Sequence, residues 1–491
     1  MIDNYFCIFK NGEKMIKSII IKEFFDNILN LRFIVGFILC IIITLSCVII
    51  LSHDYQKEMK DHSLRVSLQD EFLNNYAHTN RIGGMIIPQK PPEQFRPLVI
   101  GIPRDADLGS FDDNPLPLLF PPLDLIFIVT IIMSLLAILF SYDAIAGERE
   151  KGTLKLIISN SISRANLLLG KWIGGTLSLL IPFIFSLLIS AIYITVNPNI
   201  NWDGSAWATF FLFLLASIIF IAAFYLLGLL ISSFSKHAST SILTSLFLWV
   251  IFILVIPNLS PYIAAQLYRI PSVNKIEKEL NRIQGIERDK LGRKLSKEVA
   301  EKYEKQYGQM FTELQTMNRD AIRQRTETNH EFKAMYQAYT NEGNRAWQEA
   351  NRIQGEKANK IWRELDNKSD IQTFIAKHIA CFSPYANYVY LATDLTGTGL
   401  RSLHYFSRIS SEYYGTMNSY LQTKEEQARQ KDPTFGNNSF LDVSDRPHFS
   451  YKEELLVGRL SAGLPYWGFL LFFNVLFFVM AFVMFLRYDV R

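Results

Sequence analysis

Six apolar blocks, each about as long as a helix must be to cross a bilayer, constrain this chain more than any other feature. They fall at 33–51, 123–140, 170–196, 207–231, 238–256 and 464–486. Inside lipid a helix satisfies every backbone N–H and C=O within its own segment. The blocks are continuously apolar rather than alternating, so they read as helices. The fold class that follows is a polytopic α-helical membrane protein with six transmembrane helices. Of the 491 residues, 49% are hydrophobic, and their confinement to blocks argues against a string of soluble domains.

The segments between the blocks set the orientation. In 1–32, Met15, Ile16, Ile19, Ile20, Phe24, Ile28 and Leu31 recur at helical spacing, with Lys14, Lys17 and Lys22 among them. A basic amphipathic helix before a span reads as an elbow lying on the inner leaflet, with a plain solvated helix as the alternative. Met15 could be the start, with 1–14 an extension. The first block lies too far from the N-terminus for a cleavable signal, and no small-residue cleavage site follows it. Lys14, Lys17, Lys22 and Arg32 precede block one; Arg149, Lys151, Lys155, Arg164 and Lys171 lie between blocks two and three; Lys236 lies between four and five; Arg487 and Arg491 follow six. With six spans these all share one side, so both termini are cytoplasmic. The turn after span three, 197–206, carries no lysine or arginine. The long 52–122 and 257–463 segments then face out, where their charge does not count against them.

Segment 52–122 reads as a helix continuing from span one, then an irregular, partly β cap, because its later part is dense in proline. Leu98–Ile100 is the candidate strand. Pro182 predicts a kink in span three. In 257–463, a stripe from Val273, Ile276, Leu280 and Ile283 through Leu291, Leu295, Val299, Tyr303, Tyr307, Phe311 and Leu314 predicts long amphipathic helices folded back as a hairpin. Glycines 285, 292, 308 and 343, and the Asn-Glu-Gly-Asn stretch at 341–344, are the expected breaks. The string NRIQG occurs at 281–285 and 351–355, marking either a duplication or two helices with similar packing. Ile371–Thr398 is more apolar and aromatic, suited to lying on the membrane or docking on 52–122.

Several chemistries are missing. There is no G-x-x-x-x-G-K-[ST] loop to cradle a nucleotide phosphate, and no G-x-S-x-G. His330-Glu331 begins like a zinc-protease helix, but Ala334 stands where the second histidine would fall. No cysteine–histidine cluster suggests a metal. Of the four cysteines, Cys7, Cys40 and Cys47 lie in or before span one, so Cys381 has no outer partner for a disulfide. No basic stripe with interleaved aromatics points to nucleic acid, and the net charge is only +4. The spans are nearly free of charge, which argues against ion coupling. Asp143, at the edge of span two, reads as solvated or helix-ending.

Between spans two and three lies Tyr142–Lys171, YDAIAGEREKGTLKLIISNSISRANLLLGK. Its EREKGTL run at 148–154, its SISR turn at 161–164 and its LLLGK at 167–171 resemble the cytoplasmic coupling segment of ABC-2-type permeases. MIKSIIIKEFFDNILNLRF at 15–33 is similar to the usual start of those proteins. The likeness covers roughly 15–196 and 207–256. The enlarged 257–463 segment resembles the subgroup with an extra periplasmic region and departs from the compact loop of the commonest members.

This resemblance implies an exporter permease in a bacterial inner membrane, paired with a second permease chain, homo- or heteromeric. Soluble ABC ATPase subunits would bind ATP and Mg, and this chain would bind no cofactor and catalyse nothing itself. The coupling contact would be made by Glu148, Arg149, Glu150, Gly152, Thr153 and Leu154. Ser163 and Arg164 would cap the next helix, and Lys171 would anchor span three at the interface. Glu148→Arg is then expected to uncouple transport without blocking insertion. The charged 272–368 surface would serve a periplasmic partner or cargo, or be a solvated structural element. Two further readings stay open: an ATPase-driven mechanical device acting on envelope proteins without cargo, and a membrane-anchored scaffold with no ATPase.

Overall fold

The computed structural model describes residues 16–77, 86–101, 123–159, 163–198, 200, 202–432, 435 and 439–487. The expected 1–14 extension and the most proline-rich part of the cap, 102–122, lie outside them. Helix α1 covers 16–28. It is followed by α2 (Leu31–Tyr76), α3 (125–141), α4 (Ala146–Glu150), α5 (Thr153–Ser159), α6 (Arg164–Val196), α7 (Gly204–Phe234) and α8 (Ala238–Leu267). Then come α9 (273–307), α10 (Gln309–Thr316), α11 (Arg319–Thr328), α12 (His330–Ala380), α13 (Pro384–Thr396), α14 (Leu400–Lys431) and α15 (Leu456–Leu486). No β-strand forms among the described residues. Six helices are long and apolar enough to span a membrane: α2, the α3 segment, α6, α7, α8 and α15. The protein is a polytopic helical membrane protein, as the apolar blocks imply.

The chain forms two units, one of 1–258 with 380–491 and the other of Leu259–Ile379. In the first, short polar side chains fix where spans begin. Asp124 accepts from Phe127 N at 2.8 Å, Asp203 from Ala206 N at 2.8 Å, and Ser163 from Asn166 N at 3.1 Å. Helix α7 is apolar all round and every residue from Phe220 to Ser233 is buried, so it is the axis of the bundle. It packs on α3, α6, α8, α13 and α15. Helix α6 runs through Pro182 without interruption.

Two expectations change here. Residues 94–98 form a turn, not the start of a strand, and Leu98 O accepts from Leu125 N at 3.0 Å at the head of α3. The 257–463 segment is not one outer body, because Ala380 onward belongs with the spans. Helix α13 enters the bundle between α7 and α15. Tyr388 is fully buried there, sharing a 2.8 Å hydrogen bond with Ser217 Oγ at mid-length of α7, its ring 4.7 Å from that of Phe220. Ser383 Oγ donates to Phe252 O, inside a π-helical turn of α8 at Ile251–Val255. Arg459 in the first turn of α15 donates to Leu395 O at 3.3 Å. Ile371–Thr398 therefore does not act as one surface segment.

A second cluster joins the far end of α2 to α14, through Leu73, Met417, Leu421, Leu441 and Val443. Arg446 seals it, donating to Asp70 and to Asn74 Oδ1.

The other unit is the expected hairpin. Helices α9 and α12 run antiparallel, held by Lys302–Glu342 at 2.5 Å, by Gly292 beneath Trp347, and by Ile276, Leu280 and Ile283 against Ala358. Tyr303, Phe311, Leu314, Phe332 and Met335 close the tip. Gly308, at φ +50°, is the true break, a conformation that favours glycine. The 341–344 stretch is not a turn: α12 passes straight through it.

The two NRIQG strings present different residues to the seam. The first is π-helical from Arg282, burying Ile283 and exposing Gln284; the second is α-helical and buries Gln354. Gln354 is 4% exposed and its Oε1 has no hydrogen-bond partner among the described residues. An unsatisfied buried acceptor costs about 1–3 kcal/mol. Gln354→Leu is therefore expected to stabilise the hairpin by about 1–2 kcal/mol, read as slower amide exchange around 350–358 in the intact protein.

Candidate functional site

The short helix α4 is fastened to the ends of two spans. Ser232 Oγ, near the end of α7, accepts from both Ile145 N and Ala146 N, at 3.0 and 2.9 Å. Arg149 returns the contact: Nη1 donates to Ser235 O at 2.7 Å and Nη2 to Ser233 O at 2.8 Å. A guanidinium there satisfies carbonyls that the end of α7 leaves open and complements its negative pole. Glu150 Oε2 accepts from Ala238 N at 3.2 Å, placing an acid at the positive pole of α8. Ser241 Oγ of α8 donates to Tyr142 O at 2.7 Å, just before α4. Thus α4 is wedged at the α7–α8 junction by opposite charges on opposite helix ends.

Glu148 points the other way, into a buried cluster. Lys171, early in α6, is 1% exposed. Its Nζ donates to Glu148 Oε1 at 2.8 Å and to Glu23 Oε1 of α1 at 2.6 Å. Lys22 Nζ lies 3.8 Å from Glu148. Lys171, expected at the membrane interface, is instead covered by α1. The reason is a glycine seat on α6. A Cβ on Gly170 would come within 2.6 Å of Ile19, and one on Gly174 within 2.8 Å of the backbone oxygen of Ile20. Without side chains at those positions α1 settles against α6 and closes over the lysine. A second tie lies between the start of α2 and the end of α3: Arg32 donates to Asp143 Oδ2 at 2.9 Å, to Tyr142 Oη at 3.0 Å and to Leu139 O at 3.3 Å. Asp143 is thus ion-paired rather than simply solvated.

The opposite face of the segment is open. Glu150, Lys151, Gly152, Thr153, Lys155 and Leu156 are exposed, and Leu156 is 68% exposed, whereas Leu154 is fully buried. Gly152 turns the chain between α4 and α5 at φ +74°. Of the residues singled out from sequence, Glu148, Arg149 and Leu154 face inward, while Glu150, Gly152 and Thr153 lie on the surface. Ser163 caps α6. Arg164 donates to Phe485 O at 2.9 Å and Leu486 O at 2.6 Å, tying off the end of α15.

Sequence reasoning missed Glu23, Ser232, the carbonyls of Ser233 and Ser235, and Leu156. Glu23 was within reach: it follows Ile16, Ile19 and Ile20 on the apolar face of α1, where an acid needs a partner. Among the described residues no three His, Cys, Asp or Glu side chains gather to hold a metal.

Residues 17–490 match the family model described as ABC-2 family transporter protein. The probable ABC transporter permease protein NosY of Pseudomonas aeruginosa is 32% identical over 129 residues, and that of Stutzerimonas stutzeri is 30% identical over 128. Each match covers 26% of this chain and 46% of the relative, so the chain spans about half the length of the curated relatives it matches.

Proposed function

Because the chain belongs to the ABC-2 family of transporter proteins, and is thus a membrane permease subunit of an ABC transporter, we propose that a separate soluble ATPase drives it as an exporter through α4 and α5. One observation carries this reading: α4 and α5 expose Glu150–Thr153, Lys155 and Leu156 on one side, while α4 is bonded to the ends of α7 and α8 and to α6 on the other. Force applied to the open face passes through hydrogen bonds and ion pairs, not through a floppy loop. ATP and Mg bind in the partner, and this chain holds neither.

The α4–α5 end faces the cytoplasm of a bacterial inner membrane. Lys17, Lys22, Arg32, Lys151, Lys155, Arg164, Lys236 and Arg487 fall in the segments that six spans put on one side, which supports this orientation under the positive-inside rule. A second permease chain, identical or related, completes the path for cargo. The family likeness supports this pairing.

A mild-detergent pull-down of the tagged chain from its native membrane, with ATP hydrolysis measured on the eluate, tests the proposal. A stoichiometric soluble ATPase is the expected result. A clean eluate with no hydrolysis overturns it and leaves a membrane-anchored scaffold. The Leu259–Ile379 hairpin, a whole folding unit with its own cores, favours a second reading in which the stroke is delivered to envelope proteins without cargo. That device would keep working after bulky residues plug the path between the two chains.

A further inference from the structure

We infer that α1 is a working part of the lever, locked to α4 by Lys171, and not a passive anchor on the membrane. This rests on the ATPase-coupling reading and extends it to residues the coupling segment does not contain.

The lock has an unusual composition. One ammonium, 1% exposed, is shared by two carboxylates that come from two other helices, Glu23 of α1 and Glu148 of α4, at 2.6 and 2.8 Å. Taking three charges out of water is costly, and the cost is offset only while the geometry is held. The cluster therefore resists sliding: any displacement of α1 relative to α4 strands a buried charge. The packing beneath it is equally unforgiving. The seat on α6 is cut to the Ile19 side chain at Gly170 and to the Ile20 backbone oxygen at Gly174, and on the α7 side a Cβ on Gly175 would fall 1.9 Å from the Tyr225 hydroxyl. Just past α1, Arg32 in the first turn of α2 pairs with Asp143 at 2.9 Å, beyond the end of α3, so the chain leaving α1 is tied down as well. A stroke on α4 must carry α1 with it.

The outward face of α1 suits this role. Ile21 and Phe25, four residues apart, are exposed apolar residues, continued by Leu29 just past the end of the helix, with Lys17 and Lys22 nearby. Such a face lies in the headgroup boundary. Moving it would shift the membrane surface together with the start of α6. Glu23 and Lys171 are positioning residues in this scheme: they touch neither nucleotide nor cargo, and they keep two helices in step.

The test uses the full permease–ATPase complex, with the four cysteines replaced by alanine and spin labels at Lys17 on α1, Lys155 on α5 and Leu486 at the end of α15. Separations are compared between nucleotide-free and ADP-vanadate-trapped states. The expected result is that Lys17–Leu486 and Lys155–Leu486 both shift on trapping while Lys17–Lys155 does not. In Glu23→Gln, which cuts only the α1 arm of the lock, Lys17–Lys155 is expected to become nucleotide-dependent while the ATPase still co-purifies. If Lys155–Leu486 shifts and Lys17–Leu486 stays fixed, α1 is a static anchor and the inference fails. If Lys155–Leu486 does not shift, the coupling reading itself fails. A Glu23→Gln complex that behaves as the parent overturns the role of the ion pair.

Discussion

Lys171→Met is expected to destabilise the protein by about 3–5 kcal/mol, the usual consequence of removing one partner from a buried ionic cluster. Methionine keeps most of the side-chain length, so little volume is lost and the effect is electrostatic. Glu23 and Glu148 would be left facing each other across the site where the ammonium stood. They must then take up a proton, admit water, or push α1 off the Gly170–Gly174 seat. Each is costly, and the last also exposes Ile19. The measurement is the thermal unfolding midpoint of the detergent-purified chain. The double variant Glu23→Gln/Lys171→Met is expected to recover most of the loss, because it leaves one carboxylate, Glu148, with Lys22 still 3.8 Å away. An unchanged midpoint for Lys171→Met would show that the ammonium contributes nothing to holding α1.

The same geometry revises the expectation for Glu148→Arg. Read from the sequence, that change looks like a surface reversal that leaves insertion intact. In the structure it places a guanidinium against the Lys171 ammonium in a buried site. The expected outcome is loss of folded protein, so Glu148→Arg cannot report on coupling alone.

What the sequence showed and what it hid follow one physical division. Spans were legible because the bilayer demands long apolar runs, a requirement met within each segment. The hairpin was legible for the same kind of reason, through the stripe from Ile276 to Leu314. Properties set by a distant partner were not. Lys171 opens an apolar block, where a lysine ordinarily reaches for the headgroups; its burial is decided by α1, far away in sequence, and by two glycines with no signature of their own. Helix α13 reads as polar and aromatic, with Asn387, Tyr388 and Asp394, yet it sits inside the bundle because Ser217 supplies a partner for the Tyr388 hydroxyl. The 341–344 stretch looks like a turn and is helical because Lys302 pairs with Glu342 inside it and Trp347, one turn on, packs over Gly292. In the coupling segment the residue types were legible, but not the direction each one faces.

Leu156→Asp separates docking from folding. Leu156 is 68% exposed on α5, beyond the apolar blocks, beside Lys155 and one turn from Thr153, with exposed Glu150 and Lys151 just before that helix. An exposed leucine at the centre of a small charged surface is the composition of an interface anchor with a polar rim. Burying it against a partner contributes about 2 kcal/mol, and an aspartate in its place adds the cost of desolvating a carboxylate. A combined change of about 3 kcal/mol weakens binding by roughly a hundredfold. The expected result is loss of the ATPase from the pull-down with the unfolding midpoint of the permease unchanged, because the side chain is largely free of the fold. Lys171→Met, with the α4–α5 surface untouched, is expected to do the reverse: lower the midpoint, with whatever protein remains folded still retaining the ATPase. If Leu156→Asp instead retained the ATPase, the docking surface would have to be sought away from α5. If it lowered the midpoint, Leu156 would belong to the fold or the lipid contact. The pair of variants thus distinguishes the face of the segment that meets a partner from the face that holds the helices together.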